Sequence, residues 1–408
     1  VLSRITILNY RTLRYIDQRV SNVQVLIGPN ASGKSTFLDV IAFIADLLGE
    51  RDILRALDTR TPNFTDLTWM RQSEWFELAV EAVIPDEIKT DYRYVRYELR
   101  LGLDMKKIPE IQVENLWLLR QDAIKDPTNT NTNIPDRITL APKKQTPPGW
   151  RKIVSKSDNG NDYFRSEKTD WNNMFRLGSQ RVALANLPED EERFPVATWF
   201  KRFIGESVQK IMLSSEALRR PSPPAKSRGF LTDGSNLPWV IHELEQKYPE
   251  NLVSWVEHIR TALPEIQSVR TVERPEDRHK YLMVTYQSGL EAPSWVISDG
   301  TLRLLALTIL AYVPNLTGIY MIEEPENGIH PRAVETIYQS LQSLYDAQLF
   351  MATHSPIILN MADLKQLLCF ERHISGETHI TAGYLHPYLK QWQGEISLGT
   401  LFASGVLG

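Results

Sequence analysis

The stretch Gly28-Pro29-Asn30-Ala31-Ser32-Gly33-Lys34-Ser35-Thr36 constrains this chain more than any other. It follows a short apolar run, Val23 to Ile27, and precedes a helical pattern from Phe37 to Leu48 that stops at Gly49. A strand, a G-x-x-x-x-G-K-[ST] loop and a helix, in that order, make a phosphate-binding loop. Glycines let the backbone curl so that successive N–H groups point inward, and the helix N-terminus adds its partial positive charge. Lys34 is then expected to reach the β- and γ-phosphates, with the Ser35 hydroxyl on Mg²⁺. The loop predicts that a nucleoside triphosphate binds here.

Composition limits what surrounds that loop. The 408 residues allow two or three domains, or one large domain carrying an insertion. A net charge of −4 gives no global pull towards nucleic acid or anionic membrane, so any such contact must be a local patch. A single cysteine, Cys369, excludes an internal disulfide framework and fits a reducing, cytoplasmic setting. No run of about 18 apolar residues exists, so no membrane span is expected. The start, Val1 to Ile5, reads as a strand and not a signal peptide, and its missing methionine suggests a numbering that begins just inside the natural terminus.

Along the chain, Arg4–Leu8, Trp75–Ile84 and Tyr92–Leu103 alternate as strands, the last two as an antiparallel pair. Val113–Leu119 is a short strand or helix. Asp126 to Trp150, rich in Pro, Thr and Asn, reads as a mobile loop or element boundary. Helical patterns cover Pro195–Gln209, Pro238–Gln246 and Leu252–Leu263, and strands Lys210–Leu213 and Tyr281–Tyr286. In the last third, Ser298-Asp299-Gly300-Thr301 opens an apolar helix, Leu302–Val313. The strand Gly318–Ile322 runs into Glu323-Glu324-Pro325-Glu326-Asn327-Gly328-Ile329-His330-Pro331, and a helix follows over Arg332–Tyr345. Another apolar strand, Leu349–Thr353, ends at His354-Ser355-Pro356. Helices alternating with buried strands indicate a mostly parallel α/β sheet, with phosphate chemistry at the strand C-terminal ends.

Each of these groups has a plain reading and a chemical one. Glu323–Glu324 is a solvated strand exit, or an adjacent pair that a cation or proton must relieve. In the second case Glu323 serves Mg²⁺, directly or through water, and Glu324 polarises the attacking water. His354 is a structural histidine or a sensor of the γ-phosphate. Ser298 is a helix N-cap or part of an anion site that its own nucleotide does not need.

The ordered set Asn9-Tyr10-Arg11, Gly28–Thr36, Ser298–Thr301, Ile319–Pro331 and Thr353–Pro356 resembles ABC-type ATPases of the branch that includes SMC, RecF and OLD-type proteins. The resemblance implies a P-loop NTPase head with a mixed, largely parallel central sheet, an antiparallel β subdomain and a mainly helical insertion. It implies ATP with Mg²⁺, held by Gly28, Asn30, Ser32, Gly33, Lys34, Ser35 and Thr36, with Ser35 and Glu323 on the metal. Ser298 and Gly300 would complete a partner subunit's site in a head-to-tail homodimer that sandwiches two ATPs, possible higher assemblies aside. Glu324 would be the catalytic base, His354 the switch histidine, and Asn327–His330 the dimer-contacting loop. This sequence departs from many relatives in having Glu323 where they carry Asp, and its signature reads Ser-Asp-Gly-Thr. Gln72 and Gln112 are the candidates for the glutamine that completes the metal shell.

The expected organisation is residues 1–104 as the N-terminal lobe of the head, 105–290 as the insertion and 291–408 as the C-terminal lobe. The residues after His354 are too few for the TOPRIM nuclease domain of OLD-type nucleases. The resemblance therefore runs to stand-alone OLD-like ATPases of bacterial anti-phage systems, which regulate a separately encoded effector of nuclease type. The alternative is a RecF-like repair or DNA-clamp ATPase. A transporter's energising subunit fits neither the signature nor the long separation of Lys34 from Ser298. Arg219, Arg220, Lys226 and Arg228 on a Pro-bounded loop, with Arg93, Arg96 and Arg100 on an earlier strand, are a candidate basic surface for DNA, a docking loop for an acidic effector, or a solvated loop.

Overall fold

The structure, a computed structural model, describes residues 1–123, 139–141, 146–157, 162–224, 229–389 and 397–404. Most of the loop expected between Asp126 and Trp150, and Lys226 and Arg228, lie outside the described residues. The chain divides into two compact units, each assembled from separate pieces. One comprises Val1–Asn22, Asn30–Val208 and Phe370–Ile380; the other comprises Val23–Pro29, Gln209–Cys369 and Thr381–Gly408.

The N-terminal half begins with β1 (Leu2–Tyr10), β2 (Leu13–Arg19), β3 (Val23–Ile27), α1 (Lys34–Glu50) and α2 (Ile53–Asp58). It continues through β4 (Trp75–Val83), β5 (Tyr94–Leu103), β6 (Pro109–Leu119), β7 (Trp150–Ser157), β8 (Tyr163–Arg165), β9 (Asn172–Met174) and α3 (Pro195–Gly205). Eight of these strands form one antiparallel sheet in the order β2-β1-β4-β5-β6-β7-β8-β9. The undecided segment Val113–Leu119 is therefore a strand, paired with β5 and β7 on either side. Helix α1 buries Phe37, Val40, Phe43, Ile44 and Leu47, its i, i+3, i+4, i+7 face. Phe43 meets Tyr10 and Phe76 at ring-centroid distances of 6.1 and 6.0 Å. The helix runs past Gly49 and closes at Arg51, which itself turns left-handed (φ 62°) and donates its N–H to the Leu47 carbonyl.

The other unit contains β10 (Val208–Ile211), which begins at the junction, then α4 (Ser215–Arg219), α5 (Leu237–Lys247), α6 (Pro249–Arg260), β11 (Ile266–Glu273), β12 (Lys280–Tyr286), β13 (Glu291–Pro293) and α7 (Asp299–Thr308). It ends with β14 (Gly318–Glu323), α8 (Pro331–Gln342), β15 (Ala347–Ala352), α9 (Pro356–Met361), β16 (Leu367–Arg372), β17 (Thr378–Ala382) and α10 (Leu398–Ala403), the stretch Phe370–Ile380 of β16 and β17 being counted with the first unit. Its main sheet has the order β10-β14-β15-β3-β16-β17, with β14, β15, β3 and β16 parallel in turn. Such strands are covered on both faces, which is why β3, β14 and β15 are mostly apolar, with Gln24 and Gln348 the buried exceptions in β3 and β15. A three-stranded antiparallel sheet, β11-β12-β13, accompanies α5 and α6. The helix expected over Leu302–Val313 breaks after Thr308 into a 3-10 turn, Ile309–Tyr312. Within residues 105–290, β6 to β9 lie in the antiparallel sheet, and α4 to β12 belong to the unit with the parallel sheet.

Candidate functional site

The phosphate-binding stretch leaves β3 at Gly28 (φ 148°), turns left-handed at Ala31 (φ 60°) and Gly33 (φ 103°), and enters α1 at Lys34. Gly33 is required twice over. Its φ is one that side chains disfavour, and a Cβ there would lie 2.4 Å from Thr378 Oγ1. Thr378 Oγ1 donates to the Ser32 carbonyl at 2.8 Å and lies 3.1 Å from Thr12 Oγ1, so two threonines absent from any motif lock the loop's shape. No N-cap residue's side chain caps α1, as none caps α3, α5 or α6. The Ser32 hydroxyl is fully buried with no hydrogen-bond partner among the described residues, and Lys34 is 8% exposed. Upstream, Asn9 and Arg11 are left-handed (φ 62° and 49°) and hold Tyr10 between them. Its phenol donates to Asp39 of α1 at 2.6 Å. Burial, then the neighbouring Asp39 charge, push that phenol well above its usual range, so it stays a donor.

In the parallel unit, β14 delivers the acidic pair and β15 the histidine. Glu324 is left-handed (φ 49°), and its N–H is bonded to the Ala352 carbonyl at 2.8 Å. The two carboxylates differ in partners. Glu323 Oε1 lies 2.7 Å from Lys210 Nζ on the neighbouring strand, so a lysine supplies the relieving cation that two adjacent carboxylates need. The Glu324 side chain is exposed and has no hydrogen bond or ion pair among the described residues. Beside them opens a cavity of about 440 Å³ lined by Lys210, Met212, Arg303, Glu323, Glu324 and Asn327. Glu326 joins the two motif loops: its Oε1 accepts from Thr353 Oγ1 at 2.7 Å and from the His354 N–H at 2.9 Å. The His354 ring is half-buried, 6.1 Å from that of Phe402.

Ser298 is the N-cap of α7; its hydroxyl accepts from the Thr301 N–H at 3.2 Å and meets Thr301 Oγ1 at 2.8 Å. The plain reading of Ser298 is thus realised, and the residue is also exposed. The helix start is pressed onto the loop after the acidic pair. A Cβ on Gly300 would meet the Gly328 carbonyl at 2.8 Å, and Arg303 Nη1 donates to the Asn327 carbonyl at 3.0 Å. His330 caps α8 through its Nδ1, which accepts from the Arg332 N–H. Gly28, Ser298, Gly300, Glu323, Glu324 and His354 belong to the unit on the parallel sheet. Asn30, Ser32, Gly33, Lys34, Ser35 and Thr36 belong to the other. Gln112 lies along β6 with its side chain over Gly102, and Gln72 closes a 3-10 turn at Trp69–Arg71.

The described arginines of the candidate basic surface are all ion-paired, and Lys226 and Arg228 lie outside the described residues. Arg96 is buried between Glu81 (2.6 Å) and Glu98 (2.8 Å), and Arg100 and Arg93 pair with Glu77 and Asp86. The alternation of β5 marks two faces, but β5 sits inside an eight-stranded sheet, and the face carrying Arg96 and Glu98 is buried. Arg220 pairs with Glu216, and Arg219 turns to Asp299. Each described arginine of the set already has an acidic partner.

Among solved structures the chain is similar in fold to an SMC head bound to the C-winged helix domain of ScpA. The two are 13% identical, with 93% of this chain and 96% of that one covered, at a TM-score of 0.54. An SMC head with an extended coiled coil from Pyrococcus furiosus, bound to the C-terminal domain of ScpA, covers 99% and 98% at 12% identity and a TM-score of 0.49. An SMC head domain from Thermotoga maritima covers 93% and 98% at 12% identity and a TM-score of 0.44. No curated protein matches the chain. A phosphate-binding loop beside this α/β sheet, followed by the acidic strand end, gives the class: a P-loop NTPase whose fold is similar to that of an SMC head. Residues 23–360 match the family described as "AAA domain, putative AbiEii toxin, Type IV TA system", and the chain belongs to that family. No helix among the described residues is long and apolar enough to cross a membrane.

Proposed function

We propose that the protein binds ATP with Mg²⁺ and hydrolyses it in a head-to-tail homodimer, and that this cycle regulates a separate effector protein. The observation that carries the hydrolysis is the division of the acidic pair: Lys210 holds Glu323, and Glu324 is left with an exposed, unpaired carboxylate. Such a group is suited to take a proton from an attacking water. The phosphate-binding loop fits its ligand, with an uncapped helix N-terminus, a buried Ser32 hydroxyl lacking a partner, and Lys34. Among the described residues no cluster of three or more His, Cys, Asp or Glu side chains suits a metal. The Ser35 hydroxyl and Glu323 carboxylate are hard oxygen donors of the kind Mg²⁺ takes when phosphates complete its shell. Once bound, Mg²⁺ would neutralise charge developing on the β- and γ-phosphates.

In this reading Lys34 fixes the terminal phosphates and Glu324 aligns and deprotonates water. His354, set by Glu326, reports on the γ-phosphate. Ser298 and Gly300 meet the nucleotide of the partner subunit, and Asn327–His330 contacts that subunit. The regulatory role draws support from the family description, which names a toxin system, and from a fold neighbour described with a separate protein bound. Nuclease is the effector class we favour, in bacterial anti-phage defence and a cytoplasmic setting. For the RecF-like alternative, Arg96 and Arg100 of the candidate basic face are already ion-paired.

Lys34→Ala is expected to abolish ATP binding. Glu324→Gln should leave binding intact and lower turnover by roughly 10²–10⁴-fold, because an amide takes no proton from water. Isothermal titration and phosphate release separate the two. Wild-type turnover in Glu324→Gln, together with its loss in Glu323→Gln, would reverse the assignment. Salt-dependent DNA affinity in the absence of any effector would favour the RecF-like role.

A further inference from the structure

The signature helix of this chain carries an anomaly: Asp299, a full negative charge, stands at the first position of α7, directly after Ser298. An acid in the first turn steadies its own helix, because it complements the dipole. It also opposes any anion that approaches the same N-terminus. The structure supplies an answer in Arg219, the last residue of α4. Its Nη1 lies 2.7 Å from Asp299 Oδ1, and its Nη2 donates to the Ile297 carbonyl at 3.1 Å. One guanidinium therefore grips the residue before Ser298 and the residue after it. The Arg219 carbonyl in turn accepts from Ser294 Oγ at 3.0 Å, which ties the end of α4 to the approach of the loop.

We infer that Arg219 is a positioning residue for the signature loop: it neutralises and holds Asp299 so that Ser298 and Gly300 accept the terminal phosphate of the partner subunit's nucleotide. The inference rests on the reading of Ser298 given under Proposed function. It reassigns an arginine of the candidate basic surface from a nucleic-acid contact to an internal clamp. The geometry asks for Arg and not Lys here, since a planar fork reaches a carboxylate and a carbonyl together, where an ammonium presents a single point charge.

The test uses the full chain with Glu324→Gln as background, so that dimers accumulate without turnover. ATP-dependent dimerisation is read by sedimentation, and monomer nucleotide affinity by a fluorescent ATP analogue. Arg219→Met should weaken dimerisation by roughly tenfold or more and leave monomer affinity within about twofold. Asp299→Asn should dimerise like the background, and Arg219→Met/Asp299→Asn should recover most of the loss, because removing the acid removes the need for the clamp. Arg219→Gln, which keeps a donor for Ile297 but no charge, should repeat the loss and the rescue, and stands in if the Met variant folds poorly. A double variant no better than Arg219→Met, or an Arg219→Met chain that dimerises normally, overturns the clamp. Ser298→Arg separates the two layers. If it dimerises normally, the trans reading falls and the clamp with it; if it fails while the double variant stays weak, only the clamp falls.

Discussion

One oxygen of Glu326 accepts two hydrogen bonds, from the Thr353 hydroxyl and the His354 N–H, while its other oxygen is buried without a partner among the described residues. Removing the carboxyl strands two donors, and each such donor costs about 1–3 kcal/mol. Glu326→Ala should therefore lower unfolding stability by about 2–4 kcal/mol. It should also reduce kcat far more than it raises the KM for ATP, since His354 loses its setting and the phosphate-binding loop does not. Glu326→Gln keeps the accepting oxygen and should retain most of both. Denaturant titration and steady-state kinetics check this, and equal damage from Gln and Ala would refute the geometric account. Sequence alone makes Lys34, Ser298, Glu324 and His354 visible, because each ends a local pattern of strand, loop and helix. Glu326 passes unnoticed inside a quoted motif, since its task is defined by the other strand's loop. Thr12, Thr378, Lys210 and Arg219 carry no motif at all; only approach across the fold gives them their roles.

Among the elements, α7 and α3 each depend on something outside themselves. Gly300 lets the start of α7 touch the loop after the acidic pair, and the added Cβ of Gly300→Ala would meet the Gly328 carbonyl at 2.8 Å. Backbone cannot yield as a side-chain tip can, so the helix start must shift, at a cost of about 1–3 kcal/mol. We expect Gly300→Ala to dimerise poorly with ATP while the monomer binds nucleotide as before, read by sedimentation and titration. Helix α3 has no cap of its own from Phe194; the buried Glu167 accepts from its Val196 and Ala197 N–H groups at 3.0 and 2.8 Å. Burial outweighs those bonds and pushes the Glu167 carboxyl up to about 7. Its folded value stands above its unfolded one, so its contribution to stability is present below about pH 4.5 and is lost as pH rises through about 7, by about 3 kcal/mol. The melting-temperature difference between the wild type and Glu167→Gln should fall across that window and then level. A difference that is flat with pH would contradict it. Strands such as β14 and β15 are legible because both their faces are buried. β11 is not, because it is half-exposed and carries Arg270 and Glu273 among its apolar residues.

At the scale of the whole molecule, the chain passes between its two units at five points, one of them between Pro29 and Asn30 inside the phosphate-binding stretch. Neither unit is a continuous segment. A chain ending after Gln342 keeps every residue of the Gly28–Thr36 stretch, but it lacks β15 and β16, the two neighbours of β3. It should show no ATP-dependent rise in melting temperature, and nucleotide binding by that fragment would mean the loop is shaped by local sequence alone. The register Val23 to Leu349 has a further consequence during synthesis. At about 5–20 residues per second, β3 emerges from the ribosome tens of seconds before either strand that will flank it. For that interval an apolar strand with both edges unpaired waits in an incomplete chain, so the nascent protein is expected to lean on holding chaperones until β15 and β16 are made.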